Sequence, residues 1–375
     1  VFSLSATIFL HLATFFVTAM VCHGELATFR PRTSHLTEFY LWMSFGGVLG
    51  GAFNALLAPV LFSTVAEYPL AIVFACALRP MLKEGRNGRW QLDIVLPLLF
   101  AVAVWFVAQV PTNKLTAVFD ERWKVLPVAA IIAMFVFSFT VRPVRLALGI
   151  GVLLWGASNI MNEHSTVYTH RTFFGVHQIK KNDDANIYLL THGSTNHGSQ
   201  SIESDKWREP LAYYTREGPV GQVFDALHVA NSEMSVGIIG LGTGATSCYR
   251  RPKDKWKFFE IDSAVVGIAR NEEYFHYLAE CAGSSPVVLG DARLSLVNEP
   301  DDGFDLLVID AFSSDAIPVN LITVEAFNLY FRKLAENGSV LIHISNRHLN
   351  LEPVLGNLTR SREWSGRVQA HRPDG

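Results

Sequence analysis

The sequence contains few charged residues. Only 17% of its 375 residues are Asp, Glu, Lys or Arg, whereas 50% are hydrophobic, and the formal net charge is −3. A net charge this close to zero excludes the strong positive field with which many proteins attract nucleic acid. We therefore expect no nucleic-acid partner.

Cysteine is also scarce. Cys22 and Cys76 lie in apolar stretches, Cys248 and Cys281 lie in the polar half, and no pair has the spacing of a metal-binding motif. The histidines between positions 164 and 197 likewise match no compact zinc pattern. We expect no metal site and four reduced, unpaired thiols.

Apolar stretches dominate the first part of the chain, at about 4–22, 39–62, 68–79, 92–110, 125–140 and 144–160. A membrane-spanning helix needs about 20 apolar residues, and the first, second and fourth stretches are long enough. We predict a multi-helix transmembrane region over residues 1–162, with the lipid bilayer as its partner. Because Val1 already lies inside an apolar stretch, we expect a fragment, truncated at its N-terminus and also at its C-terminus.

Positive charges bear on the orientation of these stretches, because cytoplasmic loops are enriched in Lys and Arg. If all six stretches crossed the membrane and the polar half were cytoplasmic, more basic residues would lie outside than inside. If 144–160 did not cross, the count would reverse. We expect that not all six cross.

Residues 163–217 are rich in β-forming side chains. Two such runs, 168–178 and 186–191, flank the polar turn 180–184, which is typical of a β-hairpin. Residues 191–200 carry glycines and hydroxyl groups and are predicted to form a loop. The sequence thus predicts a small β-hairpin domain over 163–217.

From residue 218 onward, predicted strands and helices alternate. The strands are at 236–239, 257–261, 287–289, 304–309 and 340–344, and the helices at 220–229, 265–278 and 324–334. Uniformly apolar strands separated by helices are typical of a buried parallel sheet. We predict an α/β, Rossmann-like domain over 218–375.

The most informative motif lies at the start of this domain. Three glycines alternate in the turn after its first strand: Gly240, Gly242 and Gly244. Glu260 ends the second strand, where a carboxylate can accept hydrogen bonds from ribose hydroxyls. Asp291 follows the third strand and could accept from an adenine amino group, and Asp310 ends the fourth. Since the carboxyl ends of parallel strands meet at one edge, these residues predict a nucleoside-binding pocket.

A second polar segment follows the fourth strand. It runs from Asp310 to Pro318 and contains Asp315, a carboxylate that can hold, orient and deprotonate a cationic amine. Three polar residues before the sheet are candidates for the wall of an amine site: Tyr213, Tyr214 and Gln200.

Taken together, these segments resemble the spermidine synthase (polyamine aminopropyltransferase) family, and in particular its bacterial members in which the enzyme domain follows a membrane region. The resemblance covers about 173–354. Its main segments are 173–176, 210–214, 240–245, 260–262, 290–293 and 313–315, and 23–26 with 36–40 resemble the membrane-fused members.

The resemblance implies a class I methyltransferase-like fold preceded by a small β domain. It implies transfer of an aminopropyl group from decarboxylated S-adenosylmethionine to putrescine or a related amine, giving a spermidine-type polyamine and methylthioadenosine. Glu260 would bind the ribose, Asp291 the adenine, and Asp315 would position and deprotonate the amine beside Asp310. A multi-pass protein of the bacterial inner membrane is implied, with a cytoplasmic catalytic domain and a possible homodimer.

One departure from the family concerns the donor. Family members usually carry an Asp within the glycine loop, where it holds the donor's ammonium group, whereas this chain has Thr243. S-adenosylmethionine itself therefore stays open as the donor.

Three other functions are alternatives. The first is an S-adenosylmethionine-dependent methyltransferase on the same fold, and the second is a non-catalytic polyamine or nucleoside sensor coupled to a membrane transporter. A nicotinamide-dependent dehydrogenase is the third, and the 290–292 segment argues against it.

Overall fold

A computed structural model of the chain describes residues 4–80, 89–108, 136–161, 166–193, 195–312, 317–345 and 349–371. The chain divides into two compact units, Val1–His164 and Ser165–Gly375. The first contains the predicted membrane region. The second contains both segments for which the sequence predicts separate β-rich and α/β domains.

The described part of the first unit is helical. Its longer helices are α1 (Leu4–Thr28), α2 (Leu36–Ala52), α3 (Glu67–Leu78), α4 (Leu92–Ala108) and α5 (Pro143–Met161). A π-helical turn, Phe53–Leu57, and a short helix, Ala58–Leu61, continue α2. Most of the predicted apolar stretch 125–140 lies outside the described residues.

Two helical segments are long and apolar enough to cross a membrane, Ser5–Thr28 and Thr33–Leu61. This holds by length and composition alone, a criterion that signal sequences and core helices of soluble proteins also meet. The apolar segments Glu67–Leu78, Leu92–Phe106 and Pro143–Ser158 are shorter. Multi-pass topology therefore stays a prediction.

A buried ion cluster joins α4 to α5. Asp93 of α4 accepts a hydrogen bond from Arg145 Nε at 3.1 Å and also pairs with Arg142. Asp93 and Arg142 are both buried. Because buried charges are costly unless they are paired, this cluster fixes how the two helices pack.

The second unit begins with an antiparallel sheet of strands in the order β1-β2-β3-β4. The strands are β1 (Thr166–Thr172), β2 (Gly175–Asn182), β3 (Ile187–His192) and β4 (Thr195–Ser201). The predicted run 168–178 is split by a turn at Phe173 and Phe174.

The prediction of a loop over 191–200 was wrong, because β4 occupies most of that segment. Its composition is poor for a strand. Pairing of its backbone with β3 forms it instead, with a register shift between Leu190 and Thr191. Gly198, at a φ of +142°, gives β4 a conformation that other residues rarely adopt.

A parallel sheet follows, as the alternation of strands and helices predicts. Its strands are β5 (Ser235–Ile239), β6 (Lys255–Glu260), β7 (Val287–Leu289), β8 (Phe304–Ile309) and β9 (Leu334–Ile342). Their order is β7-β6-β5-β8-β9, and each neighbouring pair is parallel. The chain order reverses between β5 and β8, which makes that point the topological switch point where α/β proteins bind ligands.

Helices pack around this sheet. They are α6 (Pro219–Ala230), α7 (Ser263–Ala269), α8 (Ala292–Val297), α9 (Val324–Lys333) and α10 (Glu352–Ser361). The predicted helix 265–278 was too long, since α7 ends at Ala269. Asn271 follows, and its side chain accepts a hydrogen bond from Glu273 N at 3.0 Å, a turn that competes with helix continuation.

Alternate residues of the parallel strands supply two cores. Ile238, Phe258 and Val308 belong to a core that includes Phe224 of α6. Ile239, Phe259 and Ile309 belong to a second core with side chains of α9. Because the strands are apolar on both faces, their polar chemistry is confined to the strand ends.

The prediction of four reduced cysteines was wrong. Cys248 and Cys281 form a disulfide, while Cys22 is an exposed free thiol and Cys76 a half-buried one. Cys248 lies in the 3₁₀ turn Ala245–Tyr249 directly after the glycine loop, and Cys281 in the π-helical turn Leu278–Ala282. The spacing of 33 residues carries no sequence signal, so only the fold brings the two sulfurs together.

Candidate functional site

A cavity of about 310 Å³ opens at the carboxyl ends of β5, β6 and β8. This volume lies within the range of small-molecule pockets. Of the residues predicted to form the site, seven line the cavity: Gly240, Gly242, Glu260, Asp291, Asp310, Tyr213 and Tyr214. The sheet therefore brings together residues that are nearly 100 positions apart in the sequence.

The glycine loop forms one side of the cavity. Gly240 has a φ of +95°, and a side chain there would collide with the backbone of Asp310. Gly242 has a φ of +53°, and a Cβ there would lie 2.7 Å from the carbonyl oxygen of His197. Both positions combine a left-handed backbone with a close backbone approach, which only glycine tolerates.

Gly244 does not line the cavity. It has a φ of +84°, precedes the 3₁₀ turn, and its carbonyl accepts a hydrogen bond from Ser247 Oγ at 2.7 Å. A Cβ at Gly244 would press on Leu278. The third glycine thus allows the loop to pack on the turn that carries Cys281.

Glu260, at the end of β6, holds the glycine loop in place. Its Oε2 accepts a hydrogen bond from Leu241 N at 2.9 Å, and its Oε1 accepts one from Asp262 N at 2.9 Å. Burial raises the pKa of Glu260 above its ordinary value, although these backbone donors oppose the shift. Each carboxylate oxygen retains a second lone pair, so Glu260 can also accept from a ligand's hydroxyl groups.

Asp291 has a structural role as well as a place in the cavity wall. Its Oδ1 accepts a hydrogen bond from Leu294 N at 3.1 Å and caps the N-terminus of α8. Its Oδ2 accepts from the Asn320 amide at 3.3 Å, and Asn320 also lines the cavity. Helix capping thus orients Asp291 and leaves it beside the ligand space.

Asp310 follows β8 and is nearly closed off from solvent, with 3% of its side chain exposed. Its Oδ1 lies 2.7 Å from Nδ1 of His343, the residue that follows β9. Burial raises the pKa of Asp310, while the hydrogen bond with His343 opposes the shift. Tyr213 lies close by, and desolvation together with the Asp310 charge raises its pKa well above the ordinary value, so it stays a phenol.

The small sheet supplies the opposite side of the cavity. Phe174, His177, His192 and His197 line it. His177 Nε2 lies 2.8 Å from Asp262 Oδ2, and Thr172 donates a hydrogen bond to the same oxygen at 2.6 Å. Burial opposes ionisation of Asp262, but hydrogen bonds, that of His177 first, hold its pKa below the ordinary value. Asp262 therefore connects β1 and β2 to α7, which it also caps.

Two other predicted residues are not part of this wall. Gln200 is fully buried, its amide donates to Trp207 O at 2.8 Å, and its oxygen accepts from His276 N at 2.6 Å. Gln200 does not line the cavity. Asp315 lies outside the described residues, so its predicted role stays a prediction.

Thr243 lies between Gly242 and Gly244 in the glycine loop. Its side chain is fully buried, and its hydroxyl has no hydrogen-bond partner among the described residues. It does not line the cavity. An amine placed in the cavity would therefore contact the carboxylates that line it and not Thr243.

Sequence reasoning missed His343, His177 and Asn320. His343 follows β9, which ends at Ile342, whereas the sequence predicts a strand over 340–344. A predicted strand ending two residues earlier would have placed His343 at a strand end, the signal that identified Glu260 and Asp310. No comparable signal exists for His177 or Asn320, because each reaches the cavity from a separate element. Among the described residues, no three His, Cys, Asp or Glu side chains form a group able to hold a metal ion.

No protein-family model matches the chain, and no curated protein matches it. Among solved structures it is similar to a probable spermidine synthase from Corynebacterium glutamicum, with a TM-score of 0.39 and 17% identity over 48% of this chain and 62% of that one. It is also similar to spermidine synthase from Thermotoga maritima, with a TM-score of 0.38 and 16% identity over 53% and 62% of the two chains.

A third similar structure is a spermidine synthase in complex with the transition-state analogue AdoDATO, with a TM-score of 0.36 and 17% identity over 48% of this chain and 58% of that one. The chain thus spans less than two thirds of the length of each of these proteins.

Proposed function

We propose that the second unit is an aminopropyltransferase, which moves an aminopropyl group from decarboxylated S-adenosylmethionine to putrescine or a related amine. The observation that carries this proposal is the charge of the cavity. Four carboxyl groups line it, those of Glu260, Asp262, Asp291 and Asp310, whereas none of its described lining residues is Lys or Arg. Such a cavity favours a ligand with positive charges, as a sulfonium donor and an ammonium acceptor have.

The donor's nucleoside fits the residues at the ends of β6 and β7. Glu260 would accept hydrogen bonds from the ribose hydroxyls, and Asp291 would accept one from the adenine amino group. The glycines allow the backbone to approach the nucleoside closely. Burial of Ile239 and Phe259 beneath this space gives the adenine ring an apolar floor.

The amine would lie between Asp310, Tyr213 and Tyr214. The sequence predicts Asp315 as its proton acceptor, and Asp310, which lines the cavity, is a second carboxylate that could take the proton. Its nitrogen attacks the carbon attached to the sulfonium. A new C–N bond forms, the C–S bond breaks, and its electron pair neutralises the sulfur to give methylthioadenosine. The sulfur leaves readily, so the protein's contribution is orientation and removal of the amine proton.

The carboxylate-rich wall also distinguishes between donors. S-adenosylmethionine carries a carboxylate that decarboxylated S-adenosylmethionine lacks. That anion would face the cavity carboxylates with no cation among the described lining residues to pair with it. This favours the decarboxylated donor.

One observation favours a methyltransferase as the second candidate. Thr243 is buried and uncharged at the loop position where the family has an ammonium-binding Asp. The two candidates differ in product: S-adenosylhomocysteine would be released by a methyltransferase and methylthioadenosine by an aminopropyltransferase.

We further propose that the first unit is embedded in a lipid bilayer. Its two long apolar segments are 0% and 6% buried, unlike the core helices of a soluble protein. Large apolar side chains such as Phe9 and Trp42 are 74% and 64% exposed. Exposed apolar surface on this scale needs a covering, and a bilayer provides one.

The side of the membrane on which the second unit lies, and its assembly as a homodimer, stay predictions. The sequence predicts the cytoplasmic side, whereas a disulfide such as Cys248–Cys281 is typical of oxidising compartments. Fusions to the C-terminus distinguish the two locations of the second unit. Alkaline phosphatase is active only outside the cytoplasm, whereas green fluorescent protein fluoresces inside it.

The decisive experiment incubates the full chain, purified in detergent, with each sulfonium donor and a panel of di- and triamines, and identifies products by mass spectrometry. We expect methylthioadenosine and an aminopropylated amine. Glu260→Ala should weaken donor binding in titration calorimetry, whereas Glu336→Ala, at an exposed carboxylate outside the cavity, should not. S-adenosylhomocysteine as the product would establish the methyltransferase, and donor binding without turnover would overturn both.

A further inference from the structure

Asp310 and His343 are neighbours because two adjacent parallel strands end side by side. His343 N donates a hydrogen bond to Ile309 O at 3.0 Å, which extends the pairing of β8 and β9 by one residue. Asp310 and His343 therefore project from equivalent places at the carboxyl edge. Their side chains meet at 2.7 Å, between Oδ1 and Nδ1.

Two aromatic rings hold the His343 imidazole in place. The Tyr213 ring lies with its centroid 4.3 Å away at an interplanar angle of 32°, and the Phe312 ring lies 5.0 Å away. Both rings line the cavity. An imidazole packed in this way cannot rotate freely, so its Nδ1 stays directed at Asp310.

The two partners differ in their access to solvent. Asp310 lines the cavity, and its side chain is 3% exposed, whereas that of His343 is 22% exposed and does not line the cavity. A proton deposited on Asp310 would have little direct contact with solvent. A proton passed to His343 could leave to water, because part of the imidazole is exposed to solvent.

We propose that Asp310 and His343 form a proton relay that removes the proton of the attacking amine, with His343 as the residue that positions Asp310 and carries the proton to solvent. This inference rests on the proposed function. The amine N–H bond breaks and its proton binds Asp310; the freed nitrogen pair forms the C–N bond, and the C–S pair leaves on sulfur. The imidazole, with its own proton on Nε2, then takes up the proton at Nδ1 and releases the Nε2 proton to water.

The surroundings of the pair are consistent with this role. The titratable group that faces Asp310 from the turn before α6 is Tyr213, which stays protonated because burial raises its pKa. The pair itself is held by β8 and β9, and the cavity's described lining residues include no Lys or Arg. No Lys or Arg among the described lining residues therefore competes with His343 for Asp310.

The test compares three substitutions in the full chain. His343→Asn retains an N–H donor near the position of Nδ1 but cannot carry a proton, and His343→Ala removes both properties. The matched control is His371→Asn, at an exposed histidine outside the cavity. Thermal unfolding establishes that each variant is folded, and titration calorimetry measures donor affinity.

We expect His343→Asn and His343→Ala to lower kcat by about 100-fold or more, as is typical for loss of acid–base catalysis, with donor affinity retained. Added imidazole should restore turnover to His343→Ala, and more so at pH values where imidazole is unprotonated. His371→Asn should match the wild type.

Wild-type kcat and an unchanged pH profile in His343→Asn would overturn the relay and leave a hydrogen bond of purely structural importance. If added imidazole failed to restore turnover to the folded His343→Ala variant, that result would also count against the relay. If the wild-type chain itself forms no product from any donor and amine, the proposed function fails first, and the relay falls with it.

Discussion

Thr243 lies fully buried against the α-carbon of Gly198, so that the glycine loop of the parallel sheet packs directly on β4 of the small sheet. A Cβ at Gly198 would overlap the Thr243 side chain, and the φ of +142° at Gly198 is unfavourable for any other residue. The contact determines how closely the small sheet approaches the cavity. β4 itself forms by pairing with β3, and this contact adds to what holds it in place beside the glycine loop.

Gly198→Ala should therefore destabilise the second unit. We expect the free energy of unfolding to fall by about 1–3 kcal/mol from overpacking and backbone strain, and donor affinity to fall with it because the glycine loop is displaced. Thermal unfolding and calorimetry measure both. Gly267→Ala is the control: Gly267 lies in α7 with nothing within 4 Å of a new Cβ, so the change should be neutral or mildly stabilising. Equal behaviour of the two variants would contradict the packing role of Gly198.

Thr243→Val tests whether the Thr243 hydroxyl serves a ligand. Valine has the same shape but no hydroxyl, and the hydroxyl has no partner among the described residues. Removing an unsatisfied buried polar group should raise the free energy of unfolding by about 1 kcal/mol. Donor affinity should not change, because Thr243 does not line the cavity. A marked loss of donor affinity, measured by calorimetry, would show that Thr243 contacts the ligand after all.

Much of the second unit could be predicted from hydrophobic pattern. Uniform burial makes strands such as Phe304–Ile309 continuous apolar runs, and the polar residue at the end of each run marks the ligand edge. That rule leads from the sequence to Glu260, Asp291 and Asp310, all of which line the cavity.

The hydrophobic pattern of the sequence does not predict contacts between distant segments. β4 forms because its backbone pairs with β3, and Gln200 turns inward because Trp207 and His276 provide its hydrogen bonds. The sulfurs of Cys248 and Cys281 likewise come together only through the fold. None of these relationships has a local period or a fixed spacing, so they become visible only in three dimensions.

The disulfide leads to a prediction about thiol chemistry. In denaturant without reductant, a maleimide should label Cys22 and Cys76 but neither Cys248 nor Cys281, and mass spectrometry of peptides identifies the labelled positions. The double variant Cys248→Ser with Cys281→Ser should lose about 2–4 kcal/mol of stability because its unfolded chain is less constrained. Cys22→Ser, at an exposed free thiol, is the control and should be neutral. Labelling of all four cysteines would contradict the disulfide and support the four reduced thiols that the sequence predicts.

Asp310→Asn should separate stability from activity. Burial raises the pKa of Asp310, so the ionised carboxylate is less stable in the folded protein than in the unfolded chain. A group whose pKa is raised by folding adds to the free energy of unfolding at pH values below its ordinary pKa, which is about 3.9 for Asp. That contribution is lost as the pH rises through the pKa of the folded state. At neutral pH the native Asp310 therefore costs stability, which a neutral amide of the same shape does not.

We accordingly expect Asp310→Asn to unfold at the same or a higher temperature than the wild type at pH 7, with the difference shrinking as the pH is lowered. Turnover should fall by about 100-fold or more, since an amide cannot accept the amine proton. Asp301→Asn is the control of opposite sign, because a hydrogen bond with Lys333 holds the pKa of Asp301 below its ordinary value. That exposed variant should not gain stability. An Asp310→Asn protein that is both less stable at neutral pH and fully active would show that the buried carboxylate serves the fold rather than the reaction.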